Sequence, residues 1–298
     1  MVNSPAGLHE AVARGIERGG NVVIVTGAGI SIASGLRTYR GDGGLWTEEG
    51  STAMARATAA FFFRKPEKSW AWHLARRTEV HRASPNDAHH AVADLEKRLG
   101  ERMTLVTQNI DRLHLRAGNT PERTIEVHGH VDGMRCSAGC DGVVPIPCEF
   151  DDWIDGDDIG DEHRELLVCP KCGFVTRPHL LWFDEFYDEK HFRMRSAERA
   201  AAHASLCITV GTSGGVPLAT RLAGIAAKAR AVLIDINPHD NALRHLACDS
   251  GGTFVDGPAD DVLPVVGEIV DSFERSAGDP GEHPSNKSVD RRSPWLHV

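Results

Sequence analysis

Four short apolar runs, each closing on glycine or on small polar side chains, constrain this chain more than any other feature. They are Asn21-Val22-Val23-Ile24-Val25-Thr26, Met103-Thr104-Leu105-Val106-Thr107, Leu206-Cys207-Ile208-Thr209-Val210 and Ala231-Val232-Leu233-Ile234-Asp235-Ile236. Runs of this length without polar alternation read as strands buried on both faces, as in a parallel sheet covered by helices. The chain between them supplies such helices. Leu8 to Arg18 carries Leu8, Val12 and Ile16 on one face, and Asp87 to Leu99 carries Ala88, Ala91, Val92 and Leu95. Leu218 to Ala229 and a stretch near Leu263 to Phe273 follow the same pattern, and Ser51 to Leu99 is mostly helical in its spacing. Thr124-Ile125-Glu126-Val127 predicts a further short strand. The fold class is therefore α/β with a doubly covered parallel sheet.

In an open α/β sheet, ligands bind beyond the carboxyl ends of the strands. Three candidate groups fall there. Gly27-Ala28-Gly29-Ile30-Ser31 follows the first strand, where small residues admit a phosphate and the next helix turns its N–H groups toward it. The same pattern also serves as a plain tight turn, and no third glycine completes the usual dinucleotide fingerprint. Gln108-Asn109-Ile110-Asp111 follows the second strand, and His128-Gly129 follows Val127. One amide, one carboxylate and one imidazole in a single crevice can hold a polar ring and move one proton near neutral pH. The glycine-rich segment from Gly35 to Trp46 reads as a long loop, with Tyr39 and Trp46 suited to fold over a ligand.

Composition narrows the class. The net charge of −9 argues against a general nucleic-acid surface, and no apolar run is long enough for a membrane span. The N-terminus lacks the basic start and apolar core of a secretory signal, so a cytoplasmic setting is expected. There, seven cysteines point to metal or packing rather than disulfides. Cys136-Ser137-Ala138-Gly139-Cys140 is answered by Cys169-Pro170-Lys171-Cys172, two turn-borne pairs that together suit one tetrahedral structural zinc. Cys148 is left over and is expected to be a small buried hydrophobe. The acidic stretch Glu149 to Glu165 between the pairs reads as a solvated loop or as a lure for basic protein tails.

Taken in order from Leu8 to Phe273, these motifs resemble the sirtuin (Sir2) family of NAD-dependent protein deacylases. The matching residues are Gly27 to Ser31, the Gly35 to Arg40 loop, Thr107 to Asp111, His128-Gly129, the cysteine pairs, Gly211-Thr212-Ser213 and Asn237-Pro238, with Arg177-Pro178-His179 and Trp182-Phe183 leading to the substrate strand. The resemblance implies a Rossmann-like domain and a smaller domain made of a zinc ribbon and a helical lobe. A catalytic domain over 1–275 would comprise Rossmann-like parts at 1–47, 101–132 and 177–275, a helical lobe at 48–100 and the ribbon at 133–176, with a disordered tail over 276–298. Gly27, Ala28, Gly29 and Ser31 are expected along the NAD phosphates and ribose, and Tyr39 and Arg40 over the nicotinamide side. Gln108, Asn109, Ile110 and Asp111 would hold nicotinamide and its ribose. Gly211, Thr212 and Ser213 would hold phosphate and ribose, Asn237 the adenosine ribose, and Ala259 would lie by the adenine. His128 is the expected general base, with Asn109 and Asp111 as further catalytic residues. The implied partner is an acyl-lysine protein or peptide, and the implied products are free lysine, nicotinamide and O-acyl-ADP-ribose.

The chain departs from the family pattern at several points. Three residues separate Cys136 from Cys140 where two are common, and Thr38 replaces a common Asp. Thr38 and Arg177-Pro178-His179 lean toward the bacterial class III-like branch, which reads acidic acyl groups through a Tyr and an Arg on the helical lobe. The nearest match is His73 and Arg76. Phe183-Asp184-Glu185, the expected peptide-pairing strand, has Asp where Gly is frequent. Acetyl is the expected acyl group, with succinyl or malonyl second. The alternatives are an ADP-ribosyltransferase or NAD hydrolase on the same fold, motivated by Asp184, and an NAD sensor without turnover. Nothing in the sequence sets the oligomeric state.

Overall fold

The computed structural model describes residues 5–38, 44 and 50–278, so Tyr39, Arg40, Trp46 and the tail from 279 lie outside the described residues. In chain order the strands are β1 (Asn21–Thr26), β2 (Met103–Thr107), β3 (Thr124–Glu126), β4 (Gly129–Cys136), β5 (Val143–Pro145), β6 (Thr176–Leu180), β7 (Ala204–Val210), β8 (Val232–Ile236) and β9 (Thr253–Val255). Six of them form an all-parallel sheet in the order β3-β2-β1-β7-β8-β9. The order reverses at β1, with β2 on one side and β7 on the other. This is the switch point at which doubly wound sheets open a crevice.

The residues of β1 divide between two cores, as the pleat requires. Val22 and Ile24 join Leu8, Val12, Val92, Leu95 and Val266 on one face, beneath the helices Pro5–Glu17, Asp87–Leu99 and Ala259–Gly278. Val23 and Val25 join Ala197, Leu218, Leu222 and Leu243 on the other, beneath Met194–Ala202, Pro217–Lys228 and Ala242–Asp249. Burying each such aliphatic side chain contributes about 1.5–3 kcal/mol.

A third core binds the remaining pieces into one smaller unit. Phe62, Trp70 and Leu74, from the helices Ala59–Arg64 and Pro66–Arg82, meet Met134 of β4, Leu180 of β6, and Phe150, Trp153 and Ile159 of the acidic stretch. Trp70 Nε1 donates to the Thr176 carbonyl at 2.8 Å, fixing the helical lobe to the three-stranded antiparallel sheet β5-β4-β6. The acidic stretch is thus no freely solvated loop, because Phe150, Trp153 and Ile159 anchor it in this core.

The structure differs from the sequence reading in places. Thr176–Leu180 is itself a strand and pairs with β4, so residues 177–180 belong with the cysteine module rather than with the parallel sheet. The three-residue strand β9 was not expected. The helix expected after Gly27 is present as a 3-10 helix, Ala28–Ser34. The last helix runs to Gly278, past the expected start of the tail. Cys148 is exposed on a short turn beside Glu149 rather than buried. Among the described residues no helix is long and apolar enough to cross a membrane.

Candidate active site

Strand register brings the site together. Thr26 of β1 lies opposite Thr107 of β2 and Val210 of β7, and Thr107 lies opposite Glu126 of β3. The strands therefore end flush, and the chain leaves all of them at one edge. The loops after β1 and β7 then pack backbone to backbone. Gly29 N donates to Gly211 O at 2.8 Å, and a Cβ on Gly29 would lie 2.7 Å from Gly211 Cα. Gly211 itself has φ +58°, and a Cβ there would meet Ile30 N at 2.5 Å. Glycine is required at both positions by this loop-on-loop contact.

A buried polar network fills the edge. Asn109 Nδ2 donates to Gly27 O at 3.1 Å and to Ser31 Oγ at 3.2 Å, and Ser31 Oγ donates to Asp111 Oδ2 at 2.7 Å. The other Asp111 oxygen accepts from Leu113 N at 2.9 Å. Burial raises the Asp111 pKa, opposed by the bonds from Leu113 and Ser31. Gln108 Nε2 reaches Thr26 O and Thr212 Oγ1, each at 3.2 Å, and Asn237 Nδ2 donates to Thr212 O at 2.9 Å. Gly27, Ser31, Asn109 and Asp111 are thus linked to one another, as are Gln108, Thr212 and Asn237, with Gly29 held beside them by Gly211.

Residues to which the sequence reading gave no site role of their own support this set. Thr26 donates to Thr107 Oγ1 at 2.9 Å, and Thr107 Oγ1 accepts Asn109 N–H at 3.1 Å. Asn86 caps the helix Asp87–Leu99, while its side-chain amide donates to Ile30 O at 2.8 Å and Ser34 Oγ at 3.0 Å. An Asn three residues before a His, at the start of an apolar helical pattern, was the available signal for this cap.

His128 stands beside the network with its proton assigned by geometry. Nδ1 lies 2.7 Å from the Gln108 carbonyl, which can only accept, so Nδ1 carries the proton and Nε2 is left as a base. The ring is half-buried, and desolvation lowers its pKa to about 4 despite the Gln108 bond that opposes the shift. It is therefore neutral at pH 7, as a general base must be.

Other predicted residues sit differently. Ala28 opens the 3-10 helix, and Ile110 O accepts from Val131 N at 3.0 Å. Ser213 is exposed and accepts Gly215 N–H at 3.3 Å. Ala259 is buried in the sheet core, apart from the polar network. His73 is buried between Trp72, at 4.8 Å between ring centroids, and Trp182, at 6.1 Å. Desolvation, with Arg177 and Arg76 nearby, lowers its pKa to about 3. Arg76 pairs with Glu79 at 3.3 Å and lies over the Trp72 ring. Leu181 N donates to His128 O at 3.0 Å, so the segment carrying Trp182 links His73 to His128. Residues 183–185 form a turn and not a strand. The Asp184 carboxylate accepts from Ala59 N at 2.7 Å and Ala60 N at 3.0 Å, which caps the helix Ala59–Arg64. Glu185 pairs with Arg177, leaving Phe183 exposed.

The sulfurs of Cys136, Cys140, Cys169 and Cys172 all lie within 4.8 Å of one another. Tetrahedral zinc at about 2.3 Å from each thiolate needs sulfurs about 3.8 Å apart, so the donor set fits it. Gly139 and Gly173, at φ +90° and +74°, make the two turns that present these thiols.

A model of the Sir2 family matches residues 27–217. The chain belongs to the Sir2 family. An NAD-dependent protein deacylase from Thermus thermophilus is 38% identical over 243 residues, spanning 80% of this chain and 87% of that protein. The solved structure of a Sir2 homologue in complex with NAD has a TM-score of 0.71 and 30% identity, over 91% of this Sir2 chain and 96% of that one. A mutant Sir2 homologue bound to 2'-O-acetyl-ADP-ribose has a TM-score of 0.72 and 29% identity, over 92% and 98%.

Proposed function

We propose that this Sir2 protein is an NAD-dependent protein-lysine deacylase. The observation that carries the reading is His128, a neutral base with its tautomer pinned by Gln108 O, set beside the Asn109–Ser31–Asp111 network at the sheet's switch point. NAD supplies an activated ribose carbon that accepts the acyl oxygen as nicotinamide leaves. The chain's own residues do the rest. Gln108, Asn109, Ile110 and Asp111 hold the nicotinamide end, with Ser31 fixing Asn109 and Asp111 relative to each other. Gly27, Ala28, Gly29, Gly211, Thr212 and Ser213 face the phosphates and their ribose, and Asn237 the adenosine ribose. A preorganised polar site of this kind stabilises developing charge without reorganising. His128 Nε2 takes the proton of a ribose hydroxyl, which then attacks the acyl carbon.

An uncharged acyl group, acetyl first, suits the lobe. Arg76 is already paired with Glu79, and His73 is neutral among aromatic rings. If an acidic acyl group is read by Arg76, Arg76→Met will cost desuccinylation far more than deacetylation; equal losses dismiss that role. The ADP-ribosyltransferase reading loses its support, since the Asp184 that motivated it caps a helix.

Product analysis by mass spectrometry tests the proposal, using NAD with acetyl-, succinyl- and long-chain-acyl-lysine peptides and a control without peptide. Peptide-dependent nicotinamide with matching O-acyl-ADP-ribose is the expected result, and His128→Ala should bind NAD yet lose acyl transfer by about 10²–10⁴-fold. Nicotinamide released without peptide, with every peptide intact, would sink the reading.

A further inference from the structure

The base has a second partner. Tyr187 Oη lies 2.9 Å from His128 Nε2, with the two rings 5.9 Å apart and inclined by 29°. Because Nδ1 holds the proton, Nε2 can only accept, so the tyrosine hydroxyl donates. Burial pushes the Tyr187 pKa up to about 12, which keeps that hydroxyl protonated. An imidazole nitrogen has one in-plane lone pair. The atom that must receive the ribose proton is therefore already engaged. Tyr187 lies two residues beyond the 183–185 turn and next to Phe186, which is 92% exposed. Gln108 and Tyr187 are the polar neighbours of the ring, and among the described residues no carboxylate or cation pairs with it.

We propose that Tyr187 is a positioning residue, which holds the His128 ring with Nε2 as acceptor and yields that place to the ribose hydroxyl when peptide engages the 183–186 segment. The inference rests on the deacylase reading above. No covalent bond changes at Tyr187. Its O–H turns aside, the ribose O–H replaces it at Nε2, and the proton passes to His128 while Tyr187 keeps its own. Release of the base is thereby tied to peptide occupancy.

The test uses Tyr187→Phe and Tyr187→Leu in the full chain. Both remove the hydroxyl, and only the second changes the ring packing. A donor to Nε2 favours the neutral imidazole, so its loss should raise the His128 midpoint by about 0.5–1 pH unit in both variants, read by NMR of labelled histidine. The acid limb of kcat/KM, which reports the free enzyme, should move up equally. That of kcat, which reports the complex with Tyr187 already displaced, should stay where it is. An unmoved midpoint in Tyr187→Phe, or a shift confined to Tyr187→Leu, overturns the proposal. So does a fall in kcat of a hundredfold or more in Tyr187→Phe, which would mean that the tyrosine itself passes the proton. If the wild-type protein makes no peptide-dependent product, the deacylase reading fails instead, and the titration still reports the contact.

Discussion

At the scale of single residues, the site and its surroundings hold an unusual number of neutral histidines. His73 and His179 are lowered to about 3, and His89, His128 and His130 to about 4, in each case chiefly by desolvation. Above about pH 7.5 these groups are neutral in both folded and unfolded chains, so they add no pH dependence there. Below it the unfolded chain takes up protons that the folded chain refuses, and stability falls as pH drops from about 7.5 toward 4. At pH 5, unfolding should therefore take up roughly four to five protons from this group alone. From these rings, urea midpoints should be flat above about pH 7.5 and fall steeply by pH 5. A midpoint unchanged down to pH 5 would mean that these rings are open to water.

At the scale of elements, the chain shows which contacts a sequence can announce. The strands β1, β2, β7 and β8 were legible because they are buried on both faces, and the glycine and amide residues beyond them followed from topology. β6 was not, because Thr176-Arg177-Pro178-His179-Leu180 is half polar and contains proline, yet every one of its residues is buried. β9, at three residues, is too short to carry a pattern. Tyr187 has no periodic signal, and its partner lies 59 residues away. Asp184 is the clearest case. It was expected within a peptide-pairing strand, but its role is set by helix N–H groups 124 and 125 residues earlier. Asp184→Ala should lower stability by about 1 kcal/mol, and Asp184→Asn by less, in urea unfolding. A neutral Asp184→Ala would mean that Thr58, the helix's own N-cap, suffices.

At the scale of the whole molecule, the helical lobe and the cysteine module share one core, so the metal should govern both. We expect one zinc per chain, and removing it by chelation or by Cys169→Ser should redden the tryptophan emission through exposure of Trp70, Trp153 and Trp182. The parallel sheet has its own two cores and should keep its circular dichroism. Unchanged emission after complete metal loss would show that the apolar core alone holds the unit. The joint between the two sheets has another consequence. Gly129 pairs with Leu180, and Leu181 N–H returns to the carbonyl of His128, so the chain enters and leaves the smaller sheet at neighbouring points. Everything between is a single excursion, moored at both ends beside His128, the proposed base. A lineage that keeps the core shared with the helical lobe can lengthen or shorten the rest of that excursion, changing what is presented to the proposed base while both moorings stay in place.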